Sequence, residues 1–273
     1  MAKADDNVGA GDGLPRFVSI IAIMAVFFFL FWVLPPDTSL AQVRRSGVLR
    51  ACVPDTRPPL ITADPQRPGI EVDLLQAIAQ HLGVTLVLQR TSRMDLNFNP
   101  RDWHVSRAQC SVLAGGIVAT RNTRNFLDTT PPYLETGWAL LRSGTDKSPK
   151  TLSVYPVSSG LDRIALARKL GALHIDAKIV STPRELVDSI ASGKVDGGVT
   201  EALTARGLAK NESWQVNWLS ADLETQQVAF GLWKGDLTLK RAIVDALERL
   251  RQSGRIEALL STYAIPAIGP AVR

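Results

Sequence analysis

The sequence predicts an α/β protein of two lobes behind a hydrophobic N-terminal segment, and three observations carry that reading. From Val48 onward the apolar pattern switches between short strand-like runs and stretches of helical spacing, as expected of sheets flanked by helices. The alternation occurs twice, on either side of a polar stretch at residues 145–150. Residues 17–34 form an uncharged apolar run about as long as a minimal membrane span.

That run, FVSIIAIMAVFFFLFWVL, follows Arg16 and precedes Pro35 and Pro36. Ser39-Leu40-Ala41 then offers the small residues at −3 and −1 that signal peptidase reads. Residues 1–41 are therefore either a signal peptide cleaved after Ala41 or a retained signal anchor. The second alternative rests on the length of the run and on Asp5, Asp6 and Asp12. Both place the remainder outside the cytoplasm.

LRACV (49–53) reads as a strand, GIEVDLLQAIAQHLGV (69–84) as a helix stopping at Gly83, and TLVLQ (85–89) as a strand, which together open a βαβ unit. SVLAGGIV (111–118) is a strand ending in glycines, and WALLRSG (138–144) is another strand. TDKSPK (145–150) has the composition of a linker. A second unit follows: LSVYPV, a helix over 161–170, AKIVS, a helix over 183–192, and VDGGVT. QVAFGLWKG (227–235) reads as one long strand, with helices over 238–253 and 256–263 after it. The expected division is 42–144 for the first part of lobe 1, 145–224 for lobe 2, 225–268 for the return to lobe 1, and 269–273 for a tail. The crossings near 142–150 and 222–228 would act as a hinge, with a ligand cleft at strand carboxyl ends.

A net charge of +5 and a pI near 9.4 are compatible with nucleic acid, but export makes that partner unsuitable. Removing residues 1–41, with two of the 31 cations and four of the 26 anions, raises the charge to +7. An anionic ligand or membrane surface fits better. With only Cys52 and Cys110 a thiolate-rich zinc site is excluded, and no cofactor is implied. A Cys52–Cys110 disulfide is permitted outside the cytoplasm, and bridged and free states both stay open.

Four segments carry a family resemblance: SGVLRACVPDTRPPL, GIEVDLLQAIAQHLGV, LAGGIVATRNTRNFLDTTPPYLETGWALL and GLWKGDLTLKRAIVDALERLRQSGRIEALLSTY. In order and spacing they resemble the polar amino acid-binding branch of the periplasmic solute-binding proteins that serve ABC transporters. The resemblance covers nearly all of residues 42–265. It implies the type II periplasmic-binding-protein fold, a monomer in the periplasm, an amino acid or small carboxylate as ligand, and transporter membrane subunits as partners.

A zwitterionic ligand needs a cation for its carboxylate, an anion for its ammonium and rigid backbone donors. Gly115 and Gly116 would let backbone approach the ligand, Thr120 would offer a hydroxyl, and an arginine of this loop would grip the carboxylate. Counting back from Asp128 puts the family's arginine on Thr123, so a one-residue shift makes Arg124 the first choice and Arg121 the second. Glu201 stands where the family holds the ammonium, with a helix-starting carboxylate as the plain alternative. Ser158 and Ser159, with Gly160, stand where a second anion-binding turn opens a helix, or simply cap it.

The chain also departs from the family. Leu60 replaces the aromatic after the Pro-Pro pair, and Arg93 stands where a tryptophan is usual. Arg57, Arg93, Arg121 and Arg124 in loops after strands suggest a ligand with more than one anionic group, or else Arg57 and Arg93 point to solvent and only add to the positive charge, while Phe98 and Trp103 line the cleft or simply pack. Two other functions stay open. One is a membrane-anchored accessory or sensor subunit of this fold, and the other a cyclohexadienyl dehydratase-like enzyme using a cleft carboxylate.

Overall fold

The computed structural model describes residues 13–33, 36–96, 100–144, 148–156, 161–212 and 214–263. Residues 1–37 and 38–273 are separate compact units. In the first, α1 (Gly13–Val33) is the expected apolar helix. Its side chains are described from residue 18 to 29 only, with Val18, Ile21, Met24 and Phe27 to Phe29 exposed. Over the described residues no helix is long and apolar enough to cross a membrane.

The second unit opens with α2 (Ser39–Ser46), β1 (Val48–Val53), α3 (Ile70–Leu82), β2 (Thr85–Arg90) and α4 (Arg93–Leu96). After these come β3 (Val112–Leu113), α5 (Arg121–Phe126) and β4 (Leu127–Thr129). Strands β1, β2 and β3 are parallel, with Val48 opposite Thr85 and Ala51 opposite Val112. Helix α3 buries Ile70, Leu74, Leu75, Ile78 and Leu82, a helical spacing that turns one face to this sheet. Gly83 at φ 73° ends it, and its N–H reaches the carbonyls of Ala79 and Gln80.

The chain continues through β5 (Leu134–Thr136), β6 (Trp138–Arg142), β7 (Thr151–Val154), α6 (Arg163–Ala172), β8 (Asp176–Ile179) and α7 (Pro183–Ala191). It then runs through β9 (Gly197–Glu201), α8 (Ala202–Glu212) and β10 (Gln215–Trp218). The second sheet has the order β10-β6-β9-β7-β8. Along β6, Trp138 and Leu140 join a cluster with Leu152, Leu166 and Val199, while Ala139 and Leu141 join one with Leu186, Ile190 and Ala205. This period-2 division covers both faces of the strand. Strand β6, expected within the first lobe's 42–144, thus lies in the second sheet, where β9 and β10 pair with it.

The expected strand 227–235 is two: β11 (Gln226–Val228) and β12 (Gly231–Trp233). β11 pairs with β5 in a two-stranded ribbon, whereas β12 enters the first sheet between β3 and β4, giving the order β2-β1-β3-β12-β4. The break falls at buried Ala229 and Phe230, and Phe230 packs on Tyr133 with ring centroids 4.5 Å apart. The chain therefore passes between sheets through this ribbon, earlier than 142–150 in the first passage and close to 222–228 in the second. Helices α9 (Leu237–Gln252) and α10 (Arg255–Thr262) close the first core. The Tyr263 hydroxyl accepts from Gly69 N at 2.8 Å and donates to Asp73 at 2.6 Å, fastening the end of α10 to the start of α3.

A cleft between two parallel-strand ends

The first sheet sends its loops after β1 and β3 towards the second sheet's loops after β7 and β9. The first loop is tight: Arg57 N donates to Ile61 O at 2.7 Å around the cis Pro58-Pro59 bond. From it Arg57 donates through Nη1 to Gly115 O at 2.8 Å and through Nη2 to Met94 O at 3.5 Å. Across the cleft, α8 presents Gly207, where a Cβ would stand 3.7 Å from Pro59 Cδ. Leu203 of the same helix joins the first lobe's core cluster.

Two carboxylates are buried here, one per lobe. Glu71, in the first turn of α3, accepts from Gly115 N, from Gly116 N at 2.9 Å and from the Tyr133 hydroxyl at 2.5 Å. Glu201 accepts from Leu203 N at 3.0 Å, Thr204 N at 2.9 Å, the Thr204 hydroxyl at 3.0 Å and the Thr136 hydroxyl of the ribbon. Burial pushes both carboxyls above the ordinary glutamate value, and the hydrogen bonds and the Arg57 charge offset part of that. Arg57 also acts on Tyr155, just after β7, whose hydroxyl is raised by burial and pulled back by that cation. One guanidinium from lobe 1 therefore faces acidic or phenolic groups of both lobes.

The expected site residues divide accordingly. The Arg57 charge acts on Glu201 from the other lobe. Gly115 (φ 114°) and Gly116 (φ 77°) lie in the same loop, and their N–H groups donate to Glu71. A Cβ at Gly115 would come 2.3 Å from Pro54 Cδ, so glycine is required there by packing and by φ. Thr120 is the cap of α5: its hydroxyl accepts from Thr123 N at 3.1 Å and bonds the Thr123 hydroxyl at 3.0 Å. Thr123 is buried, whereas Arg121 and Arg124 are both exposed on α5.

Arg93 is exposed on α4 with Nη1 bonded to His104 Nδ1 at 2.5 Å, so the four arginines do not converge. The helix after β7 is capped by Asp162, which accepts from Ile164 and Ala165. Ser158 and Ser159 lie outside the described residues, as does Phe98. Trp103 is buried with Cys52, Met94, Cys110 and Leu113, a packing role. Cys52 and Cys110 are joined by a disulfide, Cα atoms 5.5 Å apart, tying the end of β1 to the approach of β3. Glu71, Tyr155 and half-buried Arg206, whose Nε meets no acceptor among the described residues, were not anticipated. The acid before the Val-Asp pair in GIEVDL was the available signal for Glu71.

Two α/β lobes joined through a two-stranded ribbon, with charged groups at facing strand ends, form the kind of cleft that takes a small molecule. The model for bacterial extracellular solute-binding proteins, family 3, matches residues 49–265, and the chain belongs to that family. A solved structure titled an ancestral cationic amino acid solute-binding protein shares the two-lobed type II fold at TM-score 0.70 and 19% identity, over 82% of this chain and 99% of that one. The L-cystine-binding protein TcyJ of Escherichia coli K12 is 22% identical over 89% of this chain and 90% of its own length. Membrane-bound lytic murein transglycosylase F of Sodalis glossinidius is also 22% identical, over 90% of this chain but 54% of its own length. The chain spans about half the length of the transglycosylase relatives it matches.

Proposed function

We propose that this solute-binding protein captures an amino acid or a similar small polar carboxylate, with Arg57 receiving the carboxylate and the Glu201 side of the cleft receiving the ammonium. The carrying observation is that Arg57 of lobe 1 and the buried Glu201 of lobe 2 border one cleft, where burial raises the Glu201 carboxyl and the Arg57 charge offsets part of that, a pairing of groups suited to a zwitterion. Support comes from relatives whose names carry L-cystine and histidine. The exposed Arg121 and Arg124 steer anions towards the mouth of the cleft without clamping them. The ribbon β5–β11 is the hinge, and the captured solute passes to the membrane subunits of an ABC importer. A thermal-shift screen of amino acids and small carboxylates tests this, since a ligand at 100 times its Kd adds roughly 2.7 kcal/mol. No shift with any of them contradicts the reading.

The apolar segment is proposed to stay attached as an inner-membrane anchor. Ser39 and Leu40 are built into the folded unit: the Ser39 hydroxyl bonds that of Thr238 at 3.1 Å, Leu40 N donates to Thr238, and Leu40 packs on the core. Cleavage after Ala41 would remove both. The mass of the mature chain distinguishes the forms. A second reading, an accessory module of a wall-acting assembly, draws on the membrane-bound transglycosylases that contain a similar region.

A further inference from the structure

Three features of the second unit bear on how it meets a membrane. The first is covalent. The apolar run ends at Leu34, and Ser39 follows five residues later, a reach of at most about 18 Å. The second is a lock between helices: Ser39 Oγ bonds Thr238 Oγ1 and accepts from Leu239 N at 3.3 Å, so the start of α9 stays beside the start of α2. The third is the surface there. Leu237 is 46% exposed, and with Lys240, Arg241 and Val244 it lines one end of a hollow of about 500 Å³ along α9. Arg44 and Arg45 are exposed in the last turn of α2, and Lys234 is exposed just before α9.

The acidic groups nearby are engaged. Asp236 pairs with Arg107, and Asp128 with Lys234 and Lys240. Asp245 and Glu248 line the far end of the hollow, where Arg249, His81 and Arg251 pair with them. Exposed Leu237 and Arg241 on α9 and exposed Arg44 and Arg45 on α2, the helix that follows the apolar run in sequence, suit a bilayer of anionic headgroups.

We propose that the α2–α9 corner rests on an anionic bilayer, with Leu237 dipping among the headgroups and Arg44 and Arg241 pairing with lipid phosphates. The proposal rests on the anchored reading above. It fixes which edge of the unit faces the membrane and leaves the cleft and lobe 2 to solution.

The test uses the full chain in vesicles of phosphatidylcholine with and without phosphatidylglycerol. Both native cysteines are in the disulfide, so Leu237→Cys or Ile179→Cys supplies a single thiol for a nitroxide. Ile179, 73% exposed on edge strand β8, is the lobe 2 control. With phosphatidylglycerol the label at 237 gains collisions with oxygen and loses them with an aqueous nickel complex, while that at 179 stays aqueous. Adding R44Q and R241Q shifts the balance back towards water by roughly 30-fold, from about 1 kcal/mol per cation. A label at 237 that stays aqueous, or one shielded equally without anionic lipid or in the R44Q/R241Q variant, overturns the docking while leaving the anchor intact. A chain that washes off the vesicles in salt overturns the anchor and the docking together.

Discussion

Replacing Glu71 by alanine should damage the cleft more than any exposed arginine does. The carboxylate takes hydrogen bonds from Gly115 N, Gly116 N and the Tyr133 hydroxyl, all within the interior. A buried donor left without a partner costs about 1–3 kcal/mol, so three cost at least about 3 kcal/mol in sum. Relief from burying a carboxylate offsets part of this, because burial already raises that carboxyl. The expected net loss is about 3 kcal/mol in urea unfolding, with weaker ligand binding because the 115–116 loop loses its anchor. The pH dependence supplies a second readout. A raised folded value means the native protein keeps this proton to higher pH than the unfolded chain. The Glu71 contribution is therefore complete below about 4.5, the ordinary glutamate value, and fades as pH rises through the raised value. Glu71→Gln removes that part of the profile. A loss under 1 kcal/mol for Glu71→Ala, with an unchanged pH profile, would refute the reasoning.

Other expectations follow from neighbouring features. Replacing Cys52 and Cys110 by alanine opens a bridge across a sequence separation of 58, which the chain-entropy relation puts at about 4 kcal/mol, readable as a lower urea midpoint. Gly115→Ala meets both φ 114° and the Pro54 ring, and should cost at least about 2 kcal/mol in the same assay; a neutral result would contradict the described loop. Bending at the β5–β11 ribbon predicts compaction in solution scattering when ligand saturates the protein, and an unchanged radius of gyration would favour a rigid docking module.

Much of this architecture is legible in the sequence because periodicity reports burial. GIEVDLLQAIAQHLGV announces α3 and its glycine stop, and the apolar residues of LRACV and TLVLQ announce the strands on either side of it. Pairing partners are not so encoded. WALLR reads as a strand in either lobe, and only long-range pairing with β9 and β10 assigns it to the second sheet. The split of 226–233 is hidden too, since Ala229 and Phe230 are as apolar as the strands they separate. At the site, residue types were easier to read than their engagements. The hydrogen-bonding groups of Gly115, Gly116, Thr120 and Glu201 are used by Glu71, Thr123 and the start of α8, engagements that residue type alone does not announce. Spacing placed the family's arginine on Thr123, which is buried and bonded to the Thr120 hydroxyl, while Arg124 is exposed.

The central claim, that Arg57 holds the ligand carboxylate across the cleft, is tested most directly by calorimetric titration of the best ligand from the screen against wild type, Arg57→Gln and Arg124→Gln. A charge-assisted, partly desolvated contact is worth about 1.5–3 kcal/mol. Arg57→Gln should therefore weaken binding roughly 10- to 150-fold, and Arg124→Gln, exposed on α5, by less than about threefold. Unchanged affinity in Arg57→Gln, or the larger loss in Arg124→Gln, would contradict the account.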